Sequence, residues 1–141
     1  MATAEALDAE MSERIARHRD ERGPRWRTVE APRSLPEVLR RECVPGRVVL
    51  VDCITLWLSN VMLADEDIAA ATRELCSAIG AQRGTLLLVS NEVGLGIVPE
   101  TPLGRRFRDE AGRLNQAIAA LAQEVLLVAA GLSITMKGAP A

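Results

Sequence analysis

The chain has 141 residues, 48% of them hydrophobic and 26% charged, with a formal net charge of −2, which fits one globular domain with its own core. This mildly acidic chain, whose only aromatics are Trp26, Trp57 and Phe107, is not built to be drawn as a whole to nucleic acid or anionic lipid. Cys43, Cys53 and Cys76 are odd in number and lack C-x-x-C spacing, so neither a disulfide framework nor a zinc site is suggested, and a reducing cytoplasm fits best.

In chain order, "MATAEALDAEM" is acidic and lacks the apolar stretch of a signal peptide. Over residues 4–19, Ala4, Leu7, Met11 and Ile15 recur at helical spacing, and His18 continues that stripe. Gly23-Pro24 should break this helix. A short extended piece, "WRTVEAP", follows, and "SLPEVLRREC" predicts a short helix with Ser34 near its cap. "GRVVLVDC" (46–53) is a continuous apolar run, as expected of a strand buried on both faces of a parallel sheet. Helices are expected at roughly 55–64 and 66–81, and "GTLLLVSN" (84–91) reads as a second buried strand.

"EVGLGIVPETP" is a glycine-bearing loop, ended by a Thr101-Pro102 cap and first-turn pair. The next helix carries Leu103, Phe107, Ala111, Leu114, Ile118 and Leu121 on one stripe. "VLLVAAG" (125–131) predicts a third buried strand and "SITMKG" a short edge strand. The run "VLLVAAGLSITM" is too short and interrupted to span a bilayer. Strands alternating with helices imply an α/β fold, one mostly parallel sheet covered on both faces.

Ligands in such folds gather at the carboxyl ends of the strands. Asp52 ends "VVLVD" and is suited to holding Mg²⁺ on a nucleotide phosphate, although it could equally cap the next helix. Asn91 and Glu92 end the following strand and would face the same rim. His18, the sole histidine, lies in "RIARHRDER" among Arg14, Arg17, Arg19 and Arg22. A lone histidine there reads either as a solvated surface residue or as a nucleophile for phosphorus. Its cationic neighbours would disfavour the protonated imidazole and could also grip phosphates.

The stretches "ATAEALDAEMSERIARHRDERGPRWRTVEAP", "VVLVDCITLWLSN", "LLLVSNEVGLGIVPETPLGRRFRDEAGRLNQAIA" and "GLSITMKG" resemble the bifunctional adenosylcobinamide kinase/adenosylcobinamide-phosphate guanylyltransferase family of cobalamin biosynthesis. The resemblance implies a P-loop NTPase-like (RecA-like) fold, with ATP and GTP as substrates alongside Mg²⁺. It implies phosphorylation of adenosylcobinamide, then transfer of GMP from GTP to adenosylcobinamide phosphate through a guanylylated histidine. That histidine maps to His18. Nucleotide contacts map to Ala2, Thr3 and Ala4, to Arg19, Asp20, Glu21 and Arg22, to Glu30, and to Asp52, which would also carry the metal. The family suggests a homotrimer; the acidic balance and scarce aromatics of the chain itself speak against a nucleic-acid partner, and its apolar runs against a membrane span.

The sequence departs from the family at one point. Residues 1–141 contain no G-x-x-x-x-G-K-[ST], whereas family members open with a strand, that phosphate loop, a helix and a second strand ending near "IATA". The expected fold therefore lacks a first strand, P-loop and first helix. Three explanations stand open: a start further upstream, a loop supplied by another chain, or a relative that binds or regulates without catalysis.

Overall fold

The structure, a computed structural model, describes residues 1–5 and 8–138. Leu7, placed above on the first apolar stripe, lies outside the described residues, as does the side chain of Arg22.

The first helix, α1, spans Ala9–Arg22 rather than residues 4–19. Asp8 sets its start, accepting the Met11 N–H at 2.7 Å as an N-cap should. Gly23 ends it at φ 65, a conformation glycine adopts without a Cβ penalty. Residues 1–3, ahead of the expected helix, run extended. The Ala2 N–H donates to Val29 O and the Ala31 N–H to Ala2 O; on the other side the Asp52 N–H donates to Met1 O and the Thr3 N–H to Asp52 O. Residues 1–3 thus form a parallel line between 29–31 and the first strand.

Helix α2 (Leu35–Glu42) follows, with Pro36 in its first turn; Ser34 stands at the cap position without a side-chain cap bond. Strand β1 (Val48–Asp52) leads into α3 (Ile54–Leu63) and α4 (Ile68–Ala81). Strand β2 (Thr85–Val89) lies parallel to β1, with Val48 opposite Thr85 and Asp52 opposite Val89. Helix α5 (Pro102–Leu121) starts where the Thr101-Pro102 pair predicts, the Thr101 hydroxyl accepting the Gly104 N–H at 3.1 Å.

The core lies on one face of this sheet. Val49 and Val51 of β1, joined by Met1, Val29, Leu86 and Leu88, pack under Leu35, Leu39, Trp57, Leu58, Leu75, Leu114 and Ile118 from the four helices. The alternate residues point the other way: Val48, Leu87 and Val89 are exposed and Leu50 half-buried. The expectation that both faces of β1 and β2 are buried is therefore corrected. All four packed helices lie on one side, so the continuous apolar runs carry an alternating burial. On α5 the stripe is also narrower than expected, since Ala111, Leu114 and Ile118 are buried while Leu103 and Leu121 are exposed.

The third run also departs from expectation. β3 (Val125–Ala129) pairs antiparallel with β4 (Leu132–Lys137) in a sheet of its own. Ala130 and Gly131 take φ 53 and φ 76, the pair of positive values that lets a two-residue turn fold a strand back on its neighbour. The described residues therefore form two separate two-stranded sheets with isolated parallel bridges, not one continuous sheet. No helix among them is long and apolar enough to cross a membrane.

Candidate functional site

Parallel pairing decides which side chains share a surface. Residues opposite one another on neighbouring parallel strands point to the same face. Ala2 is bridged to Glu30 on one side and to Asp52 on the other, so Glu30, Ala2 and Asp52 form one row across three chain segments. With neighbouring strands about 4.8 Å apart, the two carboxylate-bearing backbones are separated by about 10 Å, with only the alanine methyl between them. The row lies on the face opposite the helices, at the carboxyl end of β1. Three residues that the resemblance marks as nucleotide contacts are thus brought together by main-chain register.

Thr3, marked the same way, is wholly buried. Its hydroxyl donates to the Cys53 carbonyl at 2.6 Å and accepts from the Cys53 N–H at 2.8 Å. Ala4 is half-buried beside it. The Asn60 amide, buried on α3, donates to Thr3 O at 2.7 Å and to Pro32 O at 3.0 Å. Asn60 was not anticipated. The available signal was an asparagine inside the apolar helix "ITLWLSNVML", since a polar group at a buried position needs partners.

A second polar group missed in the sequence holds the tip of β2. The Thr55 hydroxyl accepts the Asn91 N–H at 2.8 Å, the Ser90 hydroxyl donates to the Asn115 amide oxygen at 2.7 Å, and the Asn115 amide donates to Asn91 O at 3.3 Å. These bonds tie α3, β2 and α5 at the strand ends. Glu92 turns onto its own loop, accepting the Gly94 N–H at 2.6 Å.

The residues around His18 form a separate cluster. None of residues 9–21 is buried, and among the described residues α1 makes no extensive contact with another helix or strand. The His18 side chain is 59% exposed, and its Nδ1 lies 3.3 Å from Glu21 Oε2, one helical turn on. Among the described side chains the charged neighbour of the imidazole is thus a carboxylate, while Arg14 turns back to Glu10 at 3.7 Å. Arg19 and Asp20 are exposed on the same helix. His18, Arg19, Asp20 and Glu21 are therefore together on α1, which the chain joins to the sheet row at both ends, through residues 4–8 and 23–29.

That connection borders an open cavity of about 610 Å³ beside the edge of β1, lined in part by Arg25, Trp26, Arg27, Arg47 and Leu50. Arg27, Arg41 and Arg47 all converge on the buried Glu42, with the Arg47 contact at 2.8 Å and the Arg41 contact at 3.1 Å. The Arg41 hydrogen bond and the Arg27 charge hold the Glu42 carboxyl below its ordinary range, against the opposing effect of burial. This side chain fixes the arginines rather than serving as an acid.

The donor set at the sheet tip fits magnesium in one mode. Among the described residues no three metal-ligating side chains converge, so they form no protein-only cage. Mg²⁺ commonly takes one or two carboxylates and completes its shell with phosphate oxygens and water, and Asp52, half-buried at the strand end, suits that sharing.

Comparison with known proteins bears on what this arrangement does. The family model described as cobinamide kinase / cobinamide phosphate guanyltransferase matches residues 1–136. The chain is 47% identical over 142 residues to the bifunctional adenosylcobalamin biosynthesis protein CobP of Pseudomonas aeruginosa, covering 99% of this chain and 82% of that protein. It is 40% identical over 152 residues to the bifunctional adenosylcobalamin biosynthesis proteins CobU of Escherichia coli and of Salmonella typhimurium, covering 97% of this chain and 84% of each.

Proposed function

The chain belongs to the cobinamide kinase / cobinamide phosphate guanyltransferase family, and from that premise we propose that it transfers GMP from GTP to adenosylcobinamide phosphate through His18. The observation that carries this reading is that the family match spans residues 1–136 and the chain holds a single histidine. A transfer passing through a histidine has one candidate here, and that imidazole is exposed with a carboxylate at its Nδ1.

With the Nδ1 proton directed at Glu21, the Nε2 lone pair is the nucleophile. Nε2 attacks the α-phosphorus of GTP, an N–P bond forms, and the bond to the bridging oxygen breaks to release pyrophosphate. The imidazole becomes positively charged in this step, and Glu21 stabilises that charge through Nδ1–H. A phosphate oxygen of adenosylcobinamide phosphate then attacks the same phosphorus. The N–P bond breaks, its electron pair returns to Nε2, and the ring is neutral again. Arg19 and Arg22, beside the histidine in sequence, are proposed to hold phosphate oxygens. Asp20, exposed on the same helix, is assigned with them to the nucleotide.

Asp52 is proposed to hold Mg²⁺ jointly with the nucleotide, an ion that would neutralise phosphate charge. Glu30 and Ala2 are proposed to border the nucleoside in the same row, with Thr3 and Ala4 shaping its edge. ATP is the second nucleotide the family reading implies, for phosphorylating adenosylcobinamide. We assign this chain the guanylyl transfer first, on a RecA-like frame, in a cytoplasmic homotrimer.

Another reading is a subunit that binds nucleotide without chemistry. One observation favours it for the kinase step. Lys137, the only lysine, donates to Ala119 O and Ala120 O at 2.8 and 3.0 Å, so it caps the end of α5 rather than serving a phosphate. Incubation with GTP labelled at the α-phosphorus separates the readings. Acid-labile label on the wild-type chain that is lost in His18→Ala supports guanylyl transfer. A folded wild-type chain that takes no label supports the binding subunit.

A further inference from the structure

We infer that Asn60 and Thr3 act as a clip that sets the spacing of the Glu30–Ala2–Asp52 row, so that both are positioning residues rather than nucleotide contacts. This rests on the reading of that row as the nucleotide edge.

The row is assembled from three segments far apart in sequence. Main-chain bonds join them over only a few residues: Ala2 with Val29 and Ala31 on one side, Met1 and Thr3 with Asp52 on the other. So short a ladder has little cooperativity of its own, and segments 1–3 and 29–31 belong to no full strand. Their alignment needs a further constraint at the end where the carboxylates sit.

The Asn60 amide supplies one. Its two protons go to carbonyls on different segments, Thr3 and Pro32, each one or two residues past a row member. One planar group therefore fixes the separation of the 1–3 and 29–32 segments, and α3 anchors it within the core. Thr3 supplies the matching constraint toward β1, since its hydroxyl engages both the N–H and the C=O of Cys53, the residue after Asp52. Together, Pro32, Asn60, Thr3 and Cys53 form a buried polar chain running beneath the row from the Glu30 side to the Asp52 side. The hydroxyl proton and both amide protons are spent on backbone carbonyls, which leaves neither side chain a donor to offer a nucleotide phosphate.

The prediction distinguishes positioning from simple stability. Thr3→Val keeps the shape of the side chain and removes the hydroxyl; Thr3→Ser restores it; Asn60→Leu removes both amide donors. Each is compared with wild type at equal folded fraction, for GTP-dependent labelling across a Mg²⁺ titration and for amide exchange at Ala2, Ala31 and Asp52. The account expects Thr3→Val and Asn60→Leu to need roughly tenfold more Mg²⁺ for half-maximal labelling, a shift of about 1.4 kcal/mol. It expects faster exchange at those three amides, with Thr3→Ser reversing most of both effects.

If wild type labels and the variants keep its Mg²⁺ dependence, the inference is overturned while guanylyl transfer stands. If wild type does not label, guanylyl transfer fails, and exchange alone decides the clip. Unchanged exchange in Thr3→Val and Asn60→Leu then overturns it, and faster exchange reversed by Thr3→Ser supports it.

Discussion

Replacing Trp57 by phenylalanine tests whether α3 is the element that anchors the site to the core. The indole is almost completely buried, and its Nε1–H donates to Arg33 O at 2.9 Å. Phenylalanine keeps most of the apolar body, but it leaves a gap where the five-membered ring packed and removes the donor. The lost packing costs about 1–2 kcal/mol, in the range of partial core truncations. Leaving the Arg33 carbonyl unpaired adds about 1–2 kcal/mol, near the lower part of the range because Arg33 itself is exposed. The sum is about 2–4 kcal/mol. With a urea slope of about 2 kcal/mol/M, the middle of the range for small domains, the unfolding midpoint should fall by about 1–2 M, read by far-ultraviolet circular dichroism with the slope unchanged. Because Arg33 lies three residues after Glu30, the folded variant should also show faster amide exchange over residues 29–33 than wild type. A loss below about 0.5 kcal/mol would refute the reasoning, since it would mean that the indole is neither close-packed nor hydrogen-bonded as described.

Three further outcomes follow from the same geometry. Glu42 is held below the ordinary carboxylate range in the folded chain, so its contribution to stability is present above that range and disappears as pH falls through the lowered value. The stability gap between wild type and Glu42→Gln, measured by urea titration, should therefore be largest near neutrality and shrink as pH falls below the ordinary carboxylate range; a gap constant with pH would contradict the arginine cluster. Asp52→Asn, compared with wild type at equal folded fraction, should raise the Mg²⁺ needed for GTP labelling by about tenfold or more, and an unaltered Mg²⁺ dependence would remove Asp52 from the metal. Gly131→Val should cost about 1–2 kcal/mol because a β-branched residue is forced to φ 76, a loss that calorimetry would detect.

Local chemistry was legible in the sequence where a single residue type enforces it. Thr101-Pro102 starts α5 and Gly23 ends α1 because a cap hydroxyl, a fixed φ and a missing Cβ act within a few residues. The apolar runs at 48–52, 85–89 and 125–129 also form strands. What those runs could not show was their partners. "VVLVD" and "VLLVA" are similar in composition, yet one pairs parallel beneath helices and the other folds back through Ala130-Gly131. Burial on one face rather than two depends on where the helices dock, and that is a tertiary outcome.

At the site, Asp52 was readable because it ends an apolar strand, and His18 because it is the chain's sole histidine. The row linking Asp52 to Glu30 through Ala2 was not, since it arises from pairing between residues 22 and 50 positions from Asp52 in the chain. The neighbour of His18 was obscured for a different reason. Four arginines crowd it in sequence, and the helical period places Arg14 and Arg22 on its face as well as Glu21; among the described side chains Glu21 lies against the ring, an outcome of side-chain rotamers that the local charge count does not encode.

The central claim is that GMP passes through the imidazole of His18. Wild-type chain incubated with GTP and Mg²⁺, digested under mildly alkaline conditions and analysed by tandem mass spectrometry, tests it most directly. The account predicts a GMP adduct on the peptide containing His18, localised to the histidine and absent when adenosylcobinamide phosphate is added to accept it. An adduct on another residue, or none on a folded chain that binds GTP, would contradict it.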